Sequence, residues 1–212
     1  MNRRRSPKVP TRDSFFNEGA EIYKEARWMA RIQSATTTRA MELLDDVRIG
    51  GKIDGQDKRN GIMLDLGCGN GFSTEVIMNH GFPFVVGLDV SQDMLALRHL
   101  DNPVVLADMT KLPFRPVGTF STIISISALN FVSQEIDNHA TVKKVYDRLA
   151  TQLHNVLKPG GRCIIEFYPK SAAELDIITA SFGSRAGFHG FLVIDKPGTR
   201  KEQKFLCLRA QI

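Results

Sequence analysis

The residues in this chain best placed to do chemistry are three aspartates and three glycines. Asp65 precedes Gly67, Gly69 and Gly71 in IMLDLGCGNGFST, Asp89 closes FVVGLD, and Asp108 closes PVVLAD. Each acid ends a short apolar run, the pattern of a buried strand, and in a parallel sheet ligands sit beyond the carboxyl ends of such strands. Glycine adopts positive φ and lets a ligand approach the backbone, so residues 67 to 71 read as a binding loop. A tight strand-to-helix turn with no ligand is the plainer alternative.

Two ligand classes compete for that loop. A dinucleotide site uses Gly-x-Gly-x-x-Gly to rest a pyrophosphate on a helix N-terminus. Here the third glycine comes one place early and Asp65 stands just upstream, where a carboxylate repels a diphosphate and attracts an ammonium. S-adenosylmethionine carries an ammonium, a sulfonium and no phosphate, and suits the loop better. Asp89 can then accept from both ribose hydroxyls, a role that NAD sites share. Asp108 can accept from the adenine amino group, with the Met109 N–H facing the ring; capping a helix is its alternative role.

These residues need a scaffold. The chain's 212 residues suffice for one full-sized domain, with 42% hydrophobic and 24% charged residues. No apolar run is long enough for a membrane helix, and the basic start MNRRRSPKVPTR lacks a following apolar segment, so an intracellular chain is expected. Three cysteines, Cys68, Cys163 and Cys207, with no Cys-x-x-Cys pair, argue against a disulfide framework and against a zinc site built by this chain alone. The net charge is +5, its surplus concentrated in the first dozen residues and at Lys196, Arg200, Lys201 and Lys204. That reads either as solvated tails and a solvated loop or as a rim for phosphates.

Residues 1–14 read as a disordered basic arm and 15–212 as a single domain, opening with helices over 15–44 that cover the cofactor. Residues 47–61 read as a loop. Short apolar runs at 62–66, 84–89, 103–108, 121–127 and 162–168 then alternate with helices from about 72 to 80, from 91, and from 140 to 157. Alternation of this kind predicts an α/β fold with a mostly parallel sheet covered on both faces. The tail, FHGFLVIDKPGTRKEQKFLCLRA, predicts a closing antiparallel hairpin.

The stretches LDLGCGNG, GLDVS and ADM resemble the first three motifs of class I S-adenosylmethionine-dependent methyltransferases. From about Tyr23 to Leu208 the chain is similar to the eukaryotic small-subunit rRNA (guanine-N7) methyltransferase family. ARIQSATTTRAMELL, IISISALNF, IIEFYP and IITASFGSRAGFHGFLVIDKPGTRKEQKFLCL carry that narrower likeness. It implies a Rossmann-like, seven-stranded sheet and methylation of 18S-type rRNA during ribosome biogenesis, in nucleus (nucleolus) and cytoplasm. It also implies a small zinc-binding methyltransferase-activator protein as heterodimer partner, on the pre-40S particle. The expected cofactor contacts are Asp65, Gly67, Cys68, Gly69, Asp89, Val90, Met94, Asp108, Met109 and Ser125, with Arg27 and Gln33 as further candidates. The family usually has a long basic C-terminal extension with no counterpart in this sequence, so nuclear import and anchoring to the pre-ribosome are either left open or carried by the basic N-terminus.

Methyl transfer from a sulfonium is an in-line displacement, so the protein mainly positions the acceptor. After the fourth strand, ISALNF lacks the Pro-Pro of an amine-methylating site, and between Thr119 and Glu135 no Lys or His offers a base for a hydroxyl. Neither Cys68, in the loop, nor Cys163, at a strand start, suits the nucleophile of pyrimidine C5 chemistry. Guanine N7 needs no deprotonation, although a base such as His154 or His189 could come from afar. The expected acceptor wall is Ser127, Asn130, Phe131 and Tyr168, an aromatic stacking on the base and Asn130 bonding its edge; plain packing is the alternative for the aromatics. The family commonly has Gln-Trp in place of Asn130-Phe131. PVVLAD is expected at a sheet edge with no guarding lysine, where a partner strand would cover it. A tRNA or small-molecule methyltransferase, or an assembly factor whose catalysis is dispensable, are the competing readings.

Overall fold

A computed structural model describes residues 27–211 together with Phe15, Asn17 and Gly19, with the side chains of Arg27, Lys58 and Arg59 excepted. The basic arm, most of the helix expected over 15–26, and the side chain of Arg27 lie outside the described residues. Within them, α1 spans Arg27–Leu44, α2 Gly55–Asn60, β1 Ile62–Leu66, α3 Phe72–Asn79, β2 Phe84–Asp89, α4 Gln92–Ala96 and β3 Val104–Leu106. They are followed by β4 Phe120–Ile126, α5 His139–Val156, β5 Leu157–Phe167, α6 Ala172–Ser181, β6 Phe188–Asp195 and β7 Gln203–Ala210. No helix among the described residues is long and apolar enough to cross a membrane.

The seven strands form one sheet in the order β3-β2-β1-β4-β5-β7-β6, parallel as far as β5 and antiparallel through β7 and β6. The order reverses between β1 and β4, and the crevice beyond their carboxyl ends is where such a sheet binds ligands. β3 and β6 are the edges.

Side-chain alternation divides the core into two layers. Leu64 and Leu66 of β1 pack with Ile123, Ile165 and Phe167 against α5 and α6, where Tyr146, Leu149, Leu153 and Ile178 are buried. Met63 points the other way and packs with Ile124, Ile164 and Phe205 against α1 and α3. Asp65, two residues after Met63, faces that second layer.

Three expectations change in detail. The stretch read as a loop over 47–61 holds a 3-10 turn, Val47–Ile49, and α2, each started by an aspartate: Asp46 accepts from the Arg48 N–H, and Asp54 from those of Gln56 and Asp57. The fifth strand begins at Leu157, but its regular pairing with β4 starts at Arg162↔Thr122 because Lys158-Pro-Gly-Gly intervenes as an irregularity. And α6 has no counterpart in the sequence reading. Ser171 caps it by accepting from Glu174 N–H at 3.2 Å, and Glu174 reaches back to accept from Lys170 N–H at 2.6 Å. This is close to the Ser-x-x-Glu capping pattern visible in SAAE.

Candidate functional site

The loop after β1 is shaped by positive φ at Gly67 (79°), Gly69 (50°) and Gly71 (101°). A Cβ at Gly67 would lie 2.2 Å from that of Ala128, so the loop rests directly on the turn after β4 and sets the two halves of the site side by side. The N–H groups of Gly67 and Cys68 both donate to Leu88 O of β2, and Arg98 braces the loop from behind, donating to Gly69 O, Thr74 Oγ1 and Asn102 Oδ1. Nothing in the spacing of Arg98 signals this role.

Asp89 Oδ2 accepts from Gly69 N–H at 2.8 Å and Oδ1 from Ser91 N–H at 2.9 Å, which fixes the carboxylate at the cavity wall with lone pairs to spare. Asp108 Oδ1 accepts from the Thr110 N–H and hydroxyl, each at 2.8 Å. It therefore caps the 3-10 turn Met109–Lys111 and also lines the cavity.

Asp65 takes a different place from the one expected. It does not line the cavity: wholly buried on the α3 face of β1, it accepts from Ser73 and Thr74 hydroxyls at 2.7 and 2.6 Å. Its carboxyl thus stands under the N-terminus of α3, behind the glycine loop. Its Oδ1 has no hydrogen-bond partner among the described residues. Ser125 is likewise buried outside the cavity, donating to Leu66 O at 2.8 Å and tying β4 to β1. Both follow from strand alternation, which the sequence reading did not apply to them.

The cavity encloses about 640 Å³, ample for a nucleoside and a base. Of the expected cofactor contacts, Gly67, Cys68, Gly69, Asp89, Val90, Met94, Asp108 and Met109 line it, as does Gln33. The acceptor wall Ser127, Asn130, Phe131 and Tyr168 lines the same cavity. Phe15, Trp28, Met29 and Ile32 also line it from the N-terminal side, and Phe15 stacks edge-on against Phe131 with ring centroids 5.0 Å apart. Lys170 adds a cation at the wall, its ammonium donating to Ser133 O. His154 and His189 are elsewhere: His154 packs edge-on to Phe188, and His189 is an exposed residue of β6 paired with Arg209.

The acceptor wall is held by one buried acid that the sequence reading missed. Glu166 Oε2 accepts from both the N–H and the hydroxyl of Ser127, each at 2.8 Å. Ser127 has φ +55°, the left-handed region that a non-glycine residue enters at some cost, and these bonds hold it there. Burial pushes the Glu166 carboxyl above its ordinary range despite hydrogen bonds from Tyr168, Ser127 and Gln203. Asn130 closes the arrangement, accepting from Tyr168 N–H and donating to Ser127 O, so it links the chain exits of β4 and β5. An acid inside the apolar run IIEFY was the available signal.

Burial likewise raises the carboxyls of Asp65 and Asp89. Buried carboxylates with a spare acceptor atom are relieved by a cation and worsened by an anion. Asp65 buried behind the glycine loop and Asp89 at the cavity wall make the loop a better fit for a cationic adenosyl amino acid than for a dinucleotide.

The sheet order and this site define a class I S-adenosylmethionine-dependent methyltransferase. A family model described as a methyltransferase domain matches residues 64–165. The magnesium protoporphyrin IX methyltransferase of Synechocystis, solved with bound SAH, superposes with a TM-score of 0.61 at 17% identity, over 94% of this chain and 97% of that one. Its likeness shows the shared fold. The 18S rRNA (guanine-N(7))-methyltransferase of Schizosaccharomyces pombe is 32% identical over 92% of this chain and 70% of its own length. The probable 18S rRNA (guanine-N(7))-methyltransferase of Dictyostelium discoideum is 36% identical over 88% of this chain and 62% of its length, so the chain spans less than two thirds of that protein. The chain belongs to the 18S rRNA (guanine-N(7))-methyltransferase family.

Proposed function

We propose that the protein transfers the methyl group of S-adenosylmethionine to N7 of a guanine in small-subunit rRNA. The observation that carries this reading is the single cavity lined at one end by the glycine loop, Asp89 and Asp108, and at the other by Ser127, Asn130, Phe131 and Tyr168. When bound, the cofactor supplies an electrophilic methyl on a positively charged sulfur. Asp89 would hold the ribose hydroxyls and Asp108 the adenine amino group, while Asp65 braces the start of α3 behind the loop through Ser73 and Thr74. Phe131 and Tyr168 offer faces on which an extruded base can stack, and Asn130, anchored at both ends, fixes their spacing. Guanine N7 attacks with an in-plane lone pair; the positive charge passes from sulfur to the purine and no proton leaves the base. The wall accordingly needs orientation rather than a general base, and no histidine is among the described residues lining the cavity. Reverse-transcription mapping of N7-methylguanine in rRNA from cells with and without the chain tests the reading. Loss of one modified guanine supports it, and an unchanged map refutes it.

The activator partner belongs to the same proposal. Support comes from β3, a three-residue edge strand whose Val104 and Leu106 are 41% and 53% exposed, with Phe84 of neighbouring β2 59% exposed. An added strand would cover these side chains and pair the open edge. Work on pre-40S particles in nucleolus and cytoplasm is part of the same reading.

A further inference from the structure

The turn between β6 and β7, residues 196–202, lies beside the acceptor wall for a reason of register. Lys204 pairs with Phe167, the residue before Tyr168, so the turn projects beyond the carboxyl end of β5. Three bonds fasten its base to α1: Arg39 donates to Asp195 through Nε at 2.8 Å and Nη2 at 3.3 Å, and Gln203 Nε2 donates to Thr36 Oγ1 at 2.7 Å. The tip orders itself, with Thr199 N–H donating to Lys196 O, Glu202 N–H to Thr199 O, and Gly198 N–H to the Glu202 carboxylate. Both acids are engaged, Asp195 with Arg39 and Glu202 with Lys204. Lys196, Arg200 and Lys201 are exposed and make no ion pair among the described residues. Lys196 sits at φ +51°, where glycine would be less strained, so the turn's conformation does not require a lysine there.

We propose that this tip is a phosphate clamp: Lys196, Arg200 and Lys201 grip the backbone of the RNA strand whose guanine enters the cavity. The proposal rests on the rRNA reading above and names the surface that holds the strand. A base can be splayed into a pocket only if its flanking phosphates are held nearby, and a preordered cationic turn at the pocket's lip does this without reading sequence.

Fluorescence anisotropy with a labelled single-stranded RNA of about 20 nucleotides, titrated at several KCl concentrations, tests it. The full chain carrying Lys196→Gly, Arg200→Ser and Lys201→Ser should bind at least about tenfold more weakly at low salt. Its plot of log affinity against log salt should be shallower by about 2, at roughly 0.7 per phosphate contact. Lys196→Gly alone should flatten the plot by about 0.7 with a melting temperature equal to or above wild type, which separates charge from folding. In methylation assays the triple variant should raise KM for RNA and keep kcat. Lys158→Ser with Arg185→Ser, at the opposite end of the sheet, serves as the control. Unchanged affinity and slope in the triple variant, or an equal loss in the control pair, would overturn the clamp. So would a tip that binds phosphatidylserine vesicles while the RNA isotherms stay the same. The guanine assignment is read separately from the nucleoside that wild type methylates. Label in another nucleoside, with the slope change intact, would remove that assignment and leave the clamp standing.

Discussion

Glu166 Oε2 receives two hydrogen bonds from one residue, the N–H and the hydroxyl of Ser127, each at 2.8 Å. The pair joins the carboxyl ends of β4 and β5 at the acceptor wall, and Ser127 holds its φ of +55° through it. Glu166→Gln keeps an acceptor oxygen for both bonds and should retain methyl transfer within about threefold. Glu166→Ala removes both side-chain bonds, leaving the Ser127 N–H only its 3.2 Å bond to the main-chain Glu166 O, and should cost about 1 to 3 kcal/mol in denaturant unfolding. A Glu166→Ala protein as stable and as active as wild type would remove this role.

Stability should follow pH through the same residue. Burial raises the folded-state pKa of Glu166 above its unfolded value. The folded protein therefore keeps a proton that the unfolded chain has released. This contribution is fully present below the unfolded value, roughly 4.3, and is lost as pH rises through the raised folded value. Glu166→Gln should thus match or exceed wild type in melting temperature near neutral pH, and the difference should shrink or reverse as pH falls. Differential scanning calorimetry across that range decides; an advantage for Gln that grows toward acid would be the wrong sign.

Asp89 is held by Gly69 and Ser91 N–H groups and lines the cavity, where the proposed function puts the ribose. Asp89→Asn should weaken S-adenosylmethionine by about 10- to 100-fold, the cost of losing charge-assisted bonds, and Asp89→Lys should abolish binding. Isothermal titration measures both. RNA affinity should not change.

Asn130 spans from Ser127 O to the Tyr168 N–H, and the proposed reaction asks only positioning of it. Asn130→Ala should lower the methylation rate by about tenfold or more while leaving S-adenosylmethionine affinity intact, since the misplacement affects the acceptor alone. Equal losses in both would contradict the assignment.

The β3 edge should make the isolated chain self-associate in size-exclusion chromatography, and coexpression with a strand-adding activator should restore a 1:1 species. A monodisperse, fully active lone chain would count against that partner.

Strand positions were legible wherever apolar runs met glycine or aspartate: Ile62–Leu66 and Phe84–Asp89 fall where the residues place them. The acids at their ends were legible too, but only as a set. Asp65 and Asp89 look alike in sequence, and it is strand alternation that turns Asp65 under α3 while Asp89 reaches the cavity wall. α6 escaped notice because its buried residues, Glu174, Ile178 and Ser181, include two polar ones and leave no apolar stripe. Glu166 was hidden for the opposite reason. Surrounded by apolar residues of β5, it reads as part of a strand until its partner Ser127, just after β4, is known. Contacts between segments distant in sequence, such as Arg98 with Gly69, carry no local signal at all.

The most direct measurement is transfer of labelled methyl from S-adenosylmethionine to small-subunit rRNA by the purified chain, alone and with the proposed activator, followed by nucleoside analysis. Label recovered as 7-methylguanine, and lost with Asp89→Lys, is the predicted result. Label in any other nucleoside, or none from a protein that binds both substrates, would contradict it.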